Sequence, residues 1–166
     1  EDRIHWSDIY RRDDNNHIER FWTSPIDRDA RYGSHKKVYV LTSSRTFSAA
    51  EDLSYGLKQF KRATLVGETT AGGAHPVLPR RLHEHFVAII PNARSVHPLT
   101  KTNWEGVGVE PDVRTSEKLA PMRAQVLALQ SLLPIESDEV ERARMRERIG
   151  ELERDIAAGF GLCPRE

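Results

Sequence analysis

Thr42-Ser43-Ser44-Arg45-Thr46-Phe47-Ser48-Ala49-Ala50-Glu51 is the stretch on which the fold turns. It follows a short apolar run, Val38-Tyr39-Val40-Leu41, and opens an amphipathic one from Ala49 to Phe60. The pattern predicts a strand over Lys37–Leu41, a turn through small hydroxylated residues, and a helix over Phe47–Phe60. Ala49, Leu53, Leu57 and Phe60 recur at intervals of three or four, which puts them on one helical face. Ala63-Thr64-Leu65-Val66-Gly67 then reads as a second apolar strand. Strand, helix and strand in so short a span make a βαβ unit, a parallel pair expected to be buried on both faces. Loops at the carboxyl ends of such strands face a common crevice. The serine junction is therefore expected on the same rim as the Gly-rich loop Gly67-Glu68-Thr69-Thr70-Ala71-Gly72-Gly73-Ala74.

That junction suits catalysis. The first amides of a helix have no partner inside it and carry the positive end of its dipole. A serine hydroxyl placed there lies beside donors able to stabilise an oxyanion. Ser48 is the best placed, because Ala49 and Ala50 are small enough to let a substrate approach. The ordinary alternative is a helix cap, the commonest use of serine at such a position. The stretch is not the G-x-S-x-G elbow of the α/β-hydrolases.

Outward from this unit, His5–Tyr10 and His17–Trp22 carry aromatic and β-branched residues on either side of Asp13-Asp14-Asn15-Asn16, a strong turn cluster. Two strands are not a stable unit alone, so this hairpin must pack on something else. Pro25–Lys36 reads as a charged connecting loop. Val77–Leu82 and His85–Pro91 suit a meander around the crevice, and Asn103–Asp112 reads as a loop with two glycines closed by Pro111. Leu119–Leu133 and Asp138–Ala158 are charge-rich, with Met145, Ile149, Leu152 and Ile156 at helical spacing and Gly159 placed as a C-cap. The division expected is 1–36 hairpin and connecting loop, 37–116 α/β core, and 117–166 helical extension.

The 166 residues suffice for one domain with a real core, or a domain plus an appendage. Lys plus Arg equals Asp plus Glu at 25 each, so no basic excess argues for nucleic acid or an anionic membrane. The single cysteine, Cys163, excludes an internal disulfide framework and a cysteine metal cluster. No apolar run approaches membrane-spanning length and no signal peptide is visible. The first residue is Glu rather than Met, so a processed or excised piece is expected, and compartment is left open.

Three further features carry possible chemistry. Glu105, between Asn103-Trp104 and Gly106, is a loop carboxylate of a kind that is usually solvated. Held rigidly, it could orient an imidazole or polar relay acting on a serine. Gly72-Gly73 has no following Lys-[ST] and ordinarily marks a turn; its functional variant is a backbone against which a substrate strand lies close. His83-x-His85 offers two imidazoles but no evident third ligand, so no metal site is assigned. His75 is the only histidine local to the rim and the local candidate for a base, although a His-Pro pair such as His75-Pro76 more often marks a loop.

Together, Thr42–Glu51, the run Lys61–Pro76 and the loop Asn103–Asp112 resemble the tail-specific (C-terminal processing) serine peptidase family. Within it they are most like the branch of interphotoreceptor retinoid-binding protein and the tricorn protease core. The resemblance covers about residues 1 to 135. It implies a crotonase-like (ClpP-like) α/β domain built from ββα turns, with an N-terminal hairpin and a C-terminal helical hairpin. It also implies Ser48 as nucleophile, the Ala49 amide as oxyanion donor, and Glu105 as the glutamate that supports a histidine base. Gly72, Gly73 and Ala74 are the expected substrate-binding residues, a peptide or protein the substrate, and no cofactor or metal is called for. Gly73 stands where the family's lysine-dependent members carry their base, so a Ser-Lys dyad is excluded here. The family's second oxyanion motif and its catalytic histidine are expected before residue 1, which would leave these residues alone catalytically silent and with an open sheet edge that invites dimerisation or aggregation. The alternative is a non-catalytic domain that binds a small hydrophobic ligand.

Overall fold

The computed structural model describes residues 3–12, 17–25 and 32–159. The expected turn Asp13–Asn16, half of the connecting loop Pro25–Lys36, and Cys163 lie outside the described residues. The order is β1 (His5–Arg11), β2 (His17–Trp22), β3 (Tyr39–Thr42), α1 (Ala49–Gln59), β4 (Thr64–Gly67), β5 (Val77–His83), β6 (Phe86–Pro91), β7 (Ala93–Val96), β8 (Val113–Arg114), α2 (Ala120–Leu132) and α3 (Glu139–Ala157). Among the described residues three small sheets run β2-β1-β7, β3-β4-β8 and β5-β6, giving a mixed α/β protein.

The βαβ unit forms as its pattern requires. β3 and β4 are parallel, with Tyr39 opposite Thr64 and Thr42 opposite Gly67, and β8 joins β4 in parallel. Leu65 and Val66, adjacent on β4, point to opposite faces and are both fully buried. Leu65 meets Ala74, Trp104 and Val109, while Val66 meets Ala120 and Ala124 of α2. That two-sided burial explains why adjacent positions of β4, Leu65 and Val66, are both apolar. β3 departs from the expectation: it is an edge strand with β4 as its one neighbour among the described residues, and Leu41 stays 46 % exposed. Gly67 ends β4 at φ 142°, where a Cβ would lie 1.9 Å from the Thr42 carbonyl oxygen, so only glycine allows the two strand ends to come so close.

The stripe expected to anchor α1 is corrected. Ala49 and Leu53 face solvent and Leu57 and Phe60 are half-buried, whereas Glu51, Ser54 and Gly56 are the buried positions. The inner face of α1 lies against a hydrogen-bonded loop and an indole rather than an aliphatic layer, so small and polar residues fit it. Trp6 of β1 rests on Gly56, and its Nε1 donates to Asp52 Oδ2 at 2.8 Å. The hairpin therefore finds the support it needs twice, on α1 and through antiparallel pairing of β1 with β7. β5 and β6 form a separate, largely exposed antiparallel hairpin.

α2 and α3 make the helical hairpin, closed by Met122, Val126, Ile149 and Leu152, with Ile156 beside them. Asp138 caps α3 by accepting from Val140 N and Glu141 N, and Gly159 ends it at φ 75°. The outer face carries i,i+3 pairs such as Arg142–Glu139 and Arg148–Glu151, the solvated charge lattice its sequence implied.

Candidate active site

Ser48 stands at the N-cap of α1 with φ 57° and ψ −121°. A non-glycine residue there costs about 1–3 kcal/mol and persists only where its surroundings over-determine it. The surroundings do so. Thr46 N donates to Ser43 O and Ser43 N to Thr46 Oγ1, fixing the turn that enters the site. Ala71 N donates to Thr46 O at 3.0 Å, tying that turn to the Gly-rich loop. Glu51 N and Asp52 N both donate to the Ser48 carbonyl oxygen, at 2.8 and 3.0 Å. Ser48 and Glu51 have the arrangement of a capping box, of which Glu51 supplies the hydrogen bond: Ser48 N donates to Glu51 Oε2 at 2.9 Å. The Ser48 side chain is exposed and makes no N-cap bond. The Ala49 N–H donates to no described residue.

Glu51 is the best-connected side chain of the site. Fully buried, it accepts from Ser48 N, from Gly73 N at 2.8 Å, from Gly72 N at 2.7 Å and from Thr70 Oγ1. Thr70 Oγ1 in turn accepts from Val109 N at 2.7 Å. Glu105 does the neighbouring work on the same loop: its Oε2 accepts from Ala74 N at 2.6 Å and His75 N at 3.0 Å, and lies 3.7 Å from His75 Nδ1. Four consecutive amides, Gly72 to His75, are thus held by two carboxylates. The carbonyls of this loop are also engaged, Gly72 O by Gly106 N and Gly73 O by Trp104 Nε1.

These segments close a cavity of about 310 Å³. Ser48, Ala49, Gly73, Ala74 and His75 line it together with an apolar wall of Trp6, Ile9, Phe21, Pro76 and Trp104. The structure therefore brings Ser48, Ala49, Gly73 and Ala74 to one cavity. Glu105 is joined to that cavity through Ala74 and His75 without lining it, and Gly72 lies one residue back, turned toward Glu51 at φ 90°. Two contributions escaped the sequence reading. One is Glu51, whose S-x-x-E spacing from Ser48 was available as a signal. The other is the N-terminal hairpin, which provides Trp6, Ile9 and Phe21 through contacts no local pattern announces. His83, Glu84 and His85 offer three ligand atoms within 4.8 Å of one another, so Glu84 is the third donor, but all three are exposed at a hairpin tip and none lines the cavity. Among the described residues no helix is long and apolar enough to cross a membrane.

Ser48 thus stands strained at a strand-to-helix turn, beside an Ala49 amide that donates to no described residue and a loop that the distant Glu105 holds in place. The model of Peptidase family S41 matches residues 6–115, and the chain belongs to that family, the tail-specific family its three motifs resemble. Among solved structures, the chain is similar to the photosystem II D1 C-terminal processing protease, with a TM-score of 0.55 and 25 % identity over 72 % of this chain and 29 % of that one. It shares a fold with a lipoprotein from Streptococcus agalactiae, with a TM-score of 0.57 and 16 % identity over 77 % of this chain and 45 % of that one. The chain spans less than half the length of either.

Proposed function

We propose that these residues form the nucleophile-bearing part of a serine peptidase with a crotonase-like core over 37–116 and a helical extension over 117–166. The observation that carries this reading is Ser48 itself: a strained, exposed hydroxyl at the mouth of an apolar cavity, next to an Ala49 N–H that has no partner among the described residues. Ser48 Oγ attacks the substrate carbonyl carbon and its proton passes to a general base. The Ala49 amide holds the oxyanion. Collapse of the tetrahedral species breaks the C–N bond, the amine leaves with that proton, and water then hydrolyses the acyl-serine. Glu105 fixes the Ala74–His75 segment and steers the base.

The base is a histidine from a segment outside these 166 residues. Supporting this, no histidine is hydrogen-bonded to Ser48 among the described residues, and the chain spans only part of the proteins it is similar to. The 166 residues alone are then inactive, since a serine at its ordinary pKa is a poor nucleophile. The substrate is a peptide or protein whose apolar side chain enters between Trp6, Phe21 and Trp104; with the loop amides engaged, Gly73 and Ala74 serve as cavity surface rather than as strand partners. The test is peptide hydrolysis by the protein at its full encoded length. Ser48→Ala should abolish turnover, and an unchanged rate would refute the assignment. A second reading, a non-catalytic domain binding a small hydrophobic ligand, is favoured by the apolar wall alone. It leaves the strain at Ser48 without a use.

A further inference from the structure

We propose that Glu51 is the positioning residue of Ser48; this rests on the peptidase reading above. A fully buried carboxylate is costly unless hydrogen bonds compensate it. Here no Lys, Arg or His ion-pairs with Glu51 among the described residues, and four donors converge on it instead. Their distribution is informative. Oε2 takes Ser48 N and Gly73 N, two residues of the cavity lining. Oε1 takes Gly72 N and Thr70 Oγ1, and Thr70 hands the chain of bonds on to Val109 N, in the segment that carries Glu105. One side chain thus joins the serine turn, the cavity loop and the Glu105 loop. The bond to Ser48 N fixes the peptide plane that sets φ at 57°, and with it the direction of the hydroxyl and of the adjacent Ala49 N–H. A residue serving stability alone would have no need to grip the one strained peptide of the site.

Glutamine fills the same volume but turns an NH₂ toward two of the four donors. Phosphonylation by a fluorophosphonate separates binding (KI) from bond formation (kinact) in the protein at its full encoded length. Glu51→Gln should lower kinact by about 10- to 100-fold, the scale of a misplaced reacting group, with KI unchanged because Trp6, Ile9 and Trp104 are untouched. Thr70→Val removes one donor and should give the same pattern with a smaller loss; it carries the test should Glu51→Gln fail to fold. A wild-type kinact in either variant overturns the proposal, as does a loss confined to KI. If the wild-type protein does not label at all, the peptidase reading falls, and hydrogen exchange judges the positioning role on its own. The Ser48, Gly72 and Gly73 amides should exchange at least tenfold faster in Glu51→Gln while α2 and α3 keep their protection; equal exchange at the three amides overturns it.

Discussion

Replacing Gly56 by alanine should destabilise the protein, although Gly→Ala inside a helix ordinarily stabilises by about 1 kcal/mol. Gly56 lies within α1 and is buried. A Cβ there would sit 2.4 Å from Trp6 Cζ2 and 2.7 Å from Cη2, against a comfortable carbon–carbon separation of about 3.5–4.0 Å. The indole must therefore retreat by about 1 Å. Its Nε1 donates to Asp52 Oδ2 at 2.8 Å, and a shift of that size takes the pair beyond hydrogen-bond range. Overpacking costs about 2 kcal/mol, the lost bond to a carboxylate about 2 more, and the helical gain offsets about 1, leaving a net loss of ~3 kcal/mol. Urea unfolding followed by circular dichroism measures this directly. In a Trp6→Ala background the clash is gone, and the same substitution should stabilise by about 1 kcal/mol. Stabilisation by Gly56→Ala in the wild-type background would refute the claim that the hairpin is seated on α1 through this contact.

Acidification should weaken the fold through His97. Burial disfavours its imidazolium and lowers its pKa below the usual 6.5; the His5 charge adds to this, and Asp52 opposes it. The unfolded chain then binds the proton more readily, so stability falls as pH drops through 6.5 toward the folded value and is unaffected by His97 well above it. Urea midpoints at pH 8 and pH 5.5 should differ less in His97→Gln than in the wild type, and an equal difference would remove His97 as the cause. Glu105→Ala should reduce kcat for peptide hydrolysis by about 10- to 100-fold, because the Ala74 and His75 amides would lose the one carboxylate oxygen they share; wild-type turnover would leave Glu105 without a role. The 166 residues alone should self-associate, since among the described residues β3 has an open edge beside Leu41 at 46 %, with Phe47 at 58 % and Leu53 at 52 % exposure also uncovered. Light scattering of a monomer at all concentrations would contradict that.

The parts of the fold legible in the sequence are those set by local periodicity. The β3–α1–β4 unit shows in two apolar runs around a serine-rich turn, and the α2–α3 hairpin in the spacing of Ile149, Leu152 and Ile156. Ser48 was visible as the residue at the helix mouth. Its positive φ was not, because the signal for such a conformation is normally glycine and here the strain is held by the Glu51 carboxylate on Ser48 N and by the bond from Ala71 to the preceding turn at Thr46. Glu51 was disguised for a related reason. A glutamate in the first turn of a helix is what the dipole favours on any exposed helix, and only the fold reveals that Gly72, Gly73 and Thr70 converge on it. The misassigned face of α1 follows from the same blindness: periodicity marked Ala49 and Leu53 as inward, while the contact that decides the matter, Trp6 on Gly56, spans the whole hairpin and loop between them.

The most direct measurement is covalent labelling of the protein at its full encoded length by a fluorophosphonate, followed by peptide mapping of the adduct. The result expected is one phosphonyl group on Ser48, absent from Ser48→Ala. An adduct on any other serine, or none at all under conditions that label a known serine hydrolase, would contradict the assignment of Ser48 as the nucleophile.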